Sequence, residues 1–190
     1  MSSKSSIQKI QKARDTLLMV AMFSIVMLFA GLTSAYIVSK GSLGSKWDSI
    51  VLPNMFYVST LMILISSFFG YNTIKYSRSN NFKMISQSLL LTIVFGLGFS
   101  LFQFLGWDSL VNSGRFLSGN NVASSYLYIL TLTHLAHLVG GLIALVVALF
   151  SSLKEKYNSN NFHSLKLIIR FWHFLGFLWL YLFLFLTLIN

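Results

Sequence analysis

Charged residues punctuate this chain and leave five stretches without a single Asp, Glu, Lys or Arg: Leu17 to Val38, Asn54 to Ile74, Met84 to Trp107, Phe116 to Leu153 and Phe171 to Asn190. An apolar helix needs about 20 residues to cross a hydrocarbon core about 30 Å thick. Every stretch meets that length, so the pattern predicts an all-α membrane protein, a bundle of five transmembrane helices. The fourth exceeds one crossing, and its polar Ser118-Gly-Asn-Asn121 segment places the helix start near Val122. In the second, Pro53 sits where a first helical turn tolerates a missing N–H and marks a start. The expected helices cover about 17–38, 53–75, 84–107, 122–152 and 167–189, with 1–16 as an N-terminal segment and 17–190 as one membrane domain.

Lys and Arg fall unevenly on the two sides of these spans. One side holds Lys4, Lys9, Lys12, Arg14, Lys75, Arg78, Lys83, Lys154, Lys156, Lys166 and Arg170; the other holds Lys40, Lys46 and Arg115. By the positive-inside rule the N-terminus is cytoplasmic and the C-terminus lies on the outer, periplasmic side, in a bacterial cytoplasmic (inner) membrane. Thr33-Ser-Ala35 resembles a signal-peptide cleavage site, but the apolar run before it is longer than the h-region of about 7 to 15 residues. The segments 75–83 and 151–166 are too short for a soluble module.

Composition agrees with a lipid-solvated chain: 55% hydrophobic, 9% charged, mean hydropathy +0.72. The net charge of +10 does not imply nucleic acid, because the basic residues flank apolar runs instead of gathering in one patch. Zero cysteines exclude disulfides, thiolate metal sites and thiol catalysis.

Helices in lipid associate through small residues and a few hydrogen bonds. Ala136, Gly140, Ala144 and Ala148 recur at i, i+4 on the fourth helix beside Thr133, His137 and Gly141, and Ala136, Gly140 and Ala144 are expected to meet a neighbouring helix. On the third, Ser88, Thr92, Gly96, Ser100, Gln103 and Trp107 share an interior face, with Leu90, Val94, Leu97 and Leu101 away from it. Ser59, Ser66 and Gly70 on the second helix, and Ser24, Gly31 and Ala35 on the first, repeat the pattern more weakly.

No span contains a carboxylate, lysine or arginine, which argues against a proton-coupled transporter or pump acting alone. Asp15, Asp48, Asp108 and Glu155 lie near the interfaces as solvated charges. His134, His137 and His173 are the remaining chemistry, and His163 is placed in a solvated loop. A metal or haem needs converging ligands, yet His173 lies about 8 to 10 Å from the cytoplasmic end of its helix and His137 about 20 Å from the end of its own. The residues predict no catalytic, cofactor or metal site. His134, His137, Trp172 and His173 are expected to hydrogen-bond within the bundle or to lipid. Trp47, Tyr57, Tyr71, Tyr76, Trp107, Tyr126 and Tyr128 fit an interfacial aromatic belt.

Thr133-His-Leu-Ala-His137 with Gly140-Gly-Leu-Ile143, then Phe171-Trp-His-Phe-Leu175 with Trp179-Leu-Tyr181, resembles the subunit III family of haem-copper terminal oxidases. Similar matches are Phe29-Ala-Gly-Leu32 with Ala35-Tyr36, Leu52-Pro-Asn54 with Ser59-Thr60 and Ser66-Ser67, and Gly98 with Gln103. The five-helix form looks like the short bacterial version that lacks the first two of seven helices. The resemblance implies an accessory subunit without a redox cofactor, packed on catalytic subunit I near subunit II, with haem and copper in those partners and phospholipid at its surface. Helix-packing or lipid-contact candidates are His134, His137, Gly140, Gly141, Trp172, His173 and Gln103. Short versions also serve quinol oxidases and nitric oxide reductase systems. A small b-type cytochrome, and a permease or assembly factor acting alone, are the competing readings. Where family members carry carboxylates this chain has Ile25, Gly106, Gly176 and Lys166.

Overall fold

Local chemistry sets most of the helix ends. Asn81 opens one helix by accepting the Met84 N–H on its side-chain oxygen at 3.2 Å, and Asn121 opens the next by accepting the Ser124 N–H at 3.1 Å. Pro53, extended at ψ 147°, caps a third with its carbonyl taking the Phe56 N–H. Gly44 and Gly114, at φ 48° and 75°, take left-handed conformations just beyond two helix ends, where a Cβ would be strained.

The computed structural model describes residues 2–79, 81–118, 121–154 and 162–189, with side chains at Ser6 and from Gln8 on. Glu155, Lys156, Asn190, the Gly119 and Asn120 of the polar segment, and the Lys4 side chain lie outside the described residues. Within them run five helices: α1 (Ser2–Leu43), α2 (Asn54–Arg78), α3 (Phe82–Asn112), α4 (Val122–Leu153) and α5 (His163–Leu188), with a 3₁₀ turn over Gly44–Lys46 after α1. All five are long and apolar enough to cross a membrane, and the chain is a multi-pass membrane protein.

Four boundaries differ from the hydropathy pattern by four residues or more. α1 starts at Ser2 instead of near residue 17 and runs to Leu43 instead of 38, α3 continues past Trp107 to Asn112, and α5 begins at His163 instead of near residue 167. Loss of apolar character marks where hydrocarbon ends, whereas a helix persists until a cap or glycine stops it. The 42-residue α1 is about 63 Å long, twice the thickness of the hydrocarbon.

α2, α3, α4 and α5 close a ring in that order, with α5 returning to α2, and the α2–α3 pair is the most extensive contact. α1 lies outside the ring and, among the described helices, touches α4, α5 and the 3₁₀ turn that follows it. Its buried face is a narrow row of Ile25, Phe29, Thr33 and Tyr36; Phe23, Met27 and Val38 face outward. The ring encloses Phe56, Phe99, Trp172 and Trp179, all fully buried.

The candidate site: a hydroxyl-lined core and an open flank

Among the described residues, every buried side-chain N–H that bonds across ring helices lands on a Ser or Thr oxygen. The Trp172 indole donates to Ser66 Oγ at 3.0 Å, Trp179 to Thr60 Oγ1 at 3.0 Å, and Gln103 Nε2 to Ser59 Oγ at 2.9 Å. Nearer the helix ends Trp107 donates to Thr131 Oγ1 at 3.0 Å. Each of those hydroxyls passes its own hydrogen to a backbone carbonyl: Ser59 and Thr60 to Phe56 at 2.8 Å, Thr131 to Leu127 at 2.8 Å, and Ser66 across the interface to Thr92 at 2.7 Å. A hydroxyl bonded this way keeps its lone pairs for a neighbouring helix, so the contacts are satisfied without any charged group.

Glycines let the indoles enter. A Cβ on Gly96 would lie 2.8 Å from both Cζ2 and Cη2 of Trp172, and one on Gly141 would lie 2.8 Å from Leu175 Cδ1 and 3.2 Å from Trp172 Cε3. Trp172 therefore lies between α3 and α4 on backbone alone. Gly70 faces the His173 ring, 3.7 Å from Cε1.

The histidines part company. His134 is 1% exposed and packs among Phe29, Phe99 and Trp179, the last at a centroid distance of 5.3 Å; no described residue bonds either ring nitrogen. His137 Nδ1–H donates to the Thr133 carbonyl at 2.7 Å. His173 lies on the α2 side of α5. With α5 starting at His163 its depth becomes about 15 Å, against about 24 Å for His137 counted from Leu153, so the two rings remain at different levels. Among the described residues no three His, Cys, Asp or Glu side chains gather into a metal-binding group.

The stripe on α4 divides. Ala148 is buried and Ala144 half-buried, but Ala136 and Gly140 face outward, and no described residue outside the local helix backbone comes within 4 Å of a Cβ on Gly140. Gly141 makes the close approach instead. Ser24, Gly31 and Ala35 on α1 are likewise exposed. The expected interior face of α3 is present: Ser88, Thr92, Gly96 and Gln103 are buried, while Leu90, Val94, Leu97 and Leu101 are exposed. On α2 Ser59, Ser66 and Gly70 are all buried.

Two polar clusters hold the ends. Arg115 pairs with Asp48 at 2.8 and 3.4 Å, and Asn121 Nδ2 donates to the same carboxylate at 2.8 Å, which ties the α1–α2 connection to the start of α4. At the other end Asp15 lies 3.6 Å from His163 Nε2 and 3.9 Å from Arg170 Nη1, and Arg14 donates to Ser164. Asp15 and Asp48 keep exposed side chains, as expected, and each also meets groups from far along the chain; His163 begins α5 instead of lying in a loop, and its Nε2 has no hydrogen-bond partner among the described residues. Asp108 bonds only Asn112, one turn away. The sequence carried no sign of these pairs, but the mid-span indoles did signal a need for hydroxyl partners.

The family model for cytochrome c oxidase subunit III matches residues 5–189. The chain belongs to this family. Among its relatives are the probable cytochrome c oxidase subunit 3 of Mycobacterium leprae, 26% identical over 83% of this chain and 79% of the relative, and the cytochrome c oxidase subunit 3 of Bacillus sp. PS3, 23% identical over 82% and 76%. The cytochrome bo(3) ubiquinol oxidase subunit 3 of Buchnera aphidicola is 26% identical over 82% and 81%. Subunit III of haem-copper oxidases carries no redox cofactor; the cofactors sit in subunits I and II. As a subunit III the chain is part of a multi-subunit oxidase complex.

Of the four positions that the sequence resemblance set apart, Gly106 and Gly176 face side chains of α2 and Ile25 is buried. A Cβ on Gly106 would lie 2.6 Å from Phe56 Cε2, so the phenyl ring fills the space a glutamate would need. A Cβ on Gly176 would lie 3.1 Å from Ser67 Oγ, Ile25 is part of the narrow buried face of α1, and Lys166 is exposed.

Proposed function

We propose that the chain is the accessory, non-redox subunit III of a respiratory haem-copper oxidase of the cytochrome c oxidase type, stabilising catalytic subunit I. The observation that carries this reading is the pairing of a family match over nearly the whole chain with a ring interior whose inter-helix hydrogen bonds, among the described residues, join indoles, an amide, hydroxyls and backbone carbonyls. Such an interior braces helices and, among the described residues, buries no carboxylate, lysine or arginine.

In this reading the N-terminus is cytoplasmic, in a bacterial inner membrane. Lys9, Lys12, Arg14, Lys75, Arg78, Lys83, Lys154, Lys166 and Arg170 belong to the helix ends on one side of the bundle, which supports that orientation. Subunit I is the main contact, subunit II a further one, and phospholipid fills the rest of the perimeter. The apolar groove of about 370 Å³ between α1 and α5, bounded by Val26, Phe29, Phe174 and Phe177, suits an acyl chain.

The Buchnera relative favours a second reading, subunit III of a quinol oxidase. One purification separates the possibilities. The tagged chain, extracted in mild detergent from its host, is expected to bring down haem-containing subunits that oxidise reduced cytochrome c. Oxidation of quinol alone would favour the second reading. A chain that runs alone, or one that shows a Soret band after its partners are stripped away, would overturn both.

A further inference from the structure

Well inside the spans, Gln103 and His134 are each 1% exposed, and Gln103 Oε1 and both ring nitrogens of His134 meet no partner among the described residues. Which end of the Gln103 amide is unmet follows from its other bond. Ser59 gives its only hydrogen to the Phe56 carbonyl at 2.8 Å, so toward Gln103 it can only accept. That puts the amide nitrogen on Ser59 and leaves the carbonyl oxygen as the unpaired group. A neutral imidazole has one N–H and one lone pair, so His134 holds a donor with nothing to receive it. An unmet donor and an unmet acceptor in a closed core each cost free energy, and native interiors satisfy such groups with protein or with ordered water.

The two side chains share one depth on adjoining helices. Two contacts set the antiparallel register of α3 and α4: Trp107 donates to Thr131, and Phe99 meets the His134 ring at 5.9 Å between centroids. Gln103 lies midway between Phe99 and Trp107, so its level on α4 falls midway between Thr131 and His134, about half a turn from His134. That level is about 18 Å from Val122 along α4. Both side chains also border one indole. Trp179 lies 5.3 Å from the His134 ring and 5.0 Å from Phe99, and its N–H is held by Thr60, the neighbour of the Ser59 that holds Gln103. Toward their ends α3 and α4 are joined by direct side-chain bonds, Trp107 to Thr131 at 3.0 Å and Ser86 to Ser152 at 2.9 Å. Gln103 and His134 face each other between those two ties without a bond of their own.

We propose that one ordered water is built into the bundle at this level, accepting from the His134 N–H and donating to Gln103 Oε1, and so closing the α3–α4 seam inside the membrane. Water fits because it fills both roles at once, and a buried water needs only two to four polar partners. An acyl chain fills neither role.

The test is a map of the tagged full chain, purified from its host in mild detergent with whatever subunits accompany it, at a resolution that shows ordered water. Expected is a peak about 2.6 to 3.2 Å from both Gln103 Oε1 and one His134 ring nitrogen. A direct bond between the two side chains, or a ring whose nitrogens touch only carbon, would overturn the proposal. A double-mutant cycle supplies a separate readout. Gln103→Leu should raise the unfolding constant about five-fold more in the unaltered chain than in a His134→Phe background, while the Ser59 bond, lost in both, cancels. Equal effects in the two backgrounds would overturn the bridge as well. If His134→Phe does not fold, the map of the unaltered chain decides alone.

Discussion

Replacing Gly96 by alanine sets two effects of opposite sign against each other. Alanine in a helix interior is worth roughly 0.5 to 1 kcal/mol over glycine, so propensity alone predicts a more stable protein. The added methyl would lie 2.8 Å from the outer edge of the Trp172 indole and 3.1 Å from Leu142 Cδ2. The indole cannot retreat, since its N–H is held by Ser66 and its other edge meets the Gly141 backbone. Overpacking of this kind costs about 1 to 3 kcal/mol, so the net expectation is a loss of roughly 1 to 2 kcal/mol. Because the approaches below 3.0 Å involve only Cζ2 and Cη2, Trp172→Phe removes them and leaves only Leu142 Cδ2, the free end of a side chain, to shift by a few tenths of an ångström. Gly96→Ala should then be neutral or stabilising in the Trp172→Phe background, a coupling of at least about 1 kcal/mol. The double-mutant cycle is measured by reversible unfolding in detergent followed by circular dichroism. Equal effects of Gly96→Ala in both backgrounds, or a stabilised single variant, would refute the seating of the Trp172 indole against Gly96.

Thr60→Val keeps the shape of the side chain but strands the Trp179 N–H in the core, and is expected to cost about 1 to 3 kcal/mol in the same unfolding assay. Gly106→Glu drives a side chain into Phe56 and buries an unpaired carboxylate, a loss of at least about 3 kcal/mol that should appear as a collapse in the yield of monodisperse protein. Phe56→Ala in addition should recover part of that yield. Asp48→Ala breaks an ion pair whose carboxylate is 66% exposed; the expected cost is under about 1 kcal/mol and shrinks further in high salt.

The spans were legible because charge-free length is a direct statement about hydrocarbon, and the interior of α3 was legible because its polar and small residues share one face. The stripe on α4 shows where such reading stops. Four residues turn a helix by about 400°, so a row at i, i+4 drifts about 40° per step. Ala148 begins in the core and Ala136 ends outside it, although the spacing looks uniform. In lipid both sides of a helix are apolar, so residue size names a packing face without saying which neighbour covers it. Gly106 and Gly96 owe their importance to Phe56 and Trp172, which come from other helices far along the chain, and no local pattern announces such a meeting. The same holds for Asp48 with Arg115 and for Asp15 with His163.

The thin seam that joins α1 to the ring has a consequence for biogenesis. α1 leaves the ribosome first, yet α4 and α5, which it touches, follow about a hundred residues later, an interval of about 5 to 20 s at ordinary elongation rates. Through that time it must reside in the bilayer as a solitary rod. Thr16, Ser24, Thr33 and Ser42 each give their hydroxyl hydrogen to a carbonyl of α1 itself, to Lys12, Val20, Phe29 and Val38 in turn. The newborn segment can therefore wait with those donors already occupied, and Thr33 still keeps a lone pair ready for the Tyr181 hydroxyl when the last helix arrives.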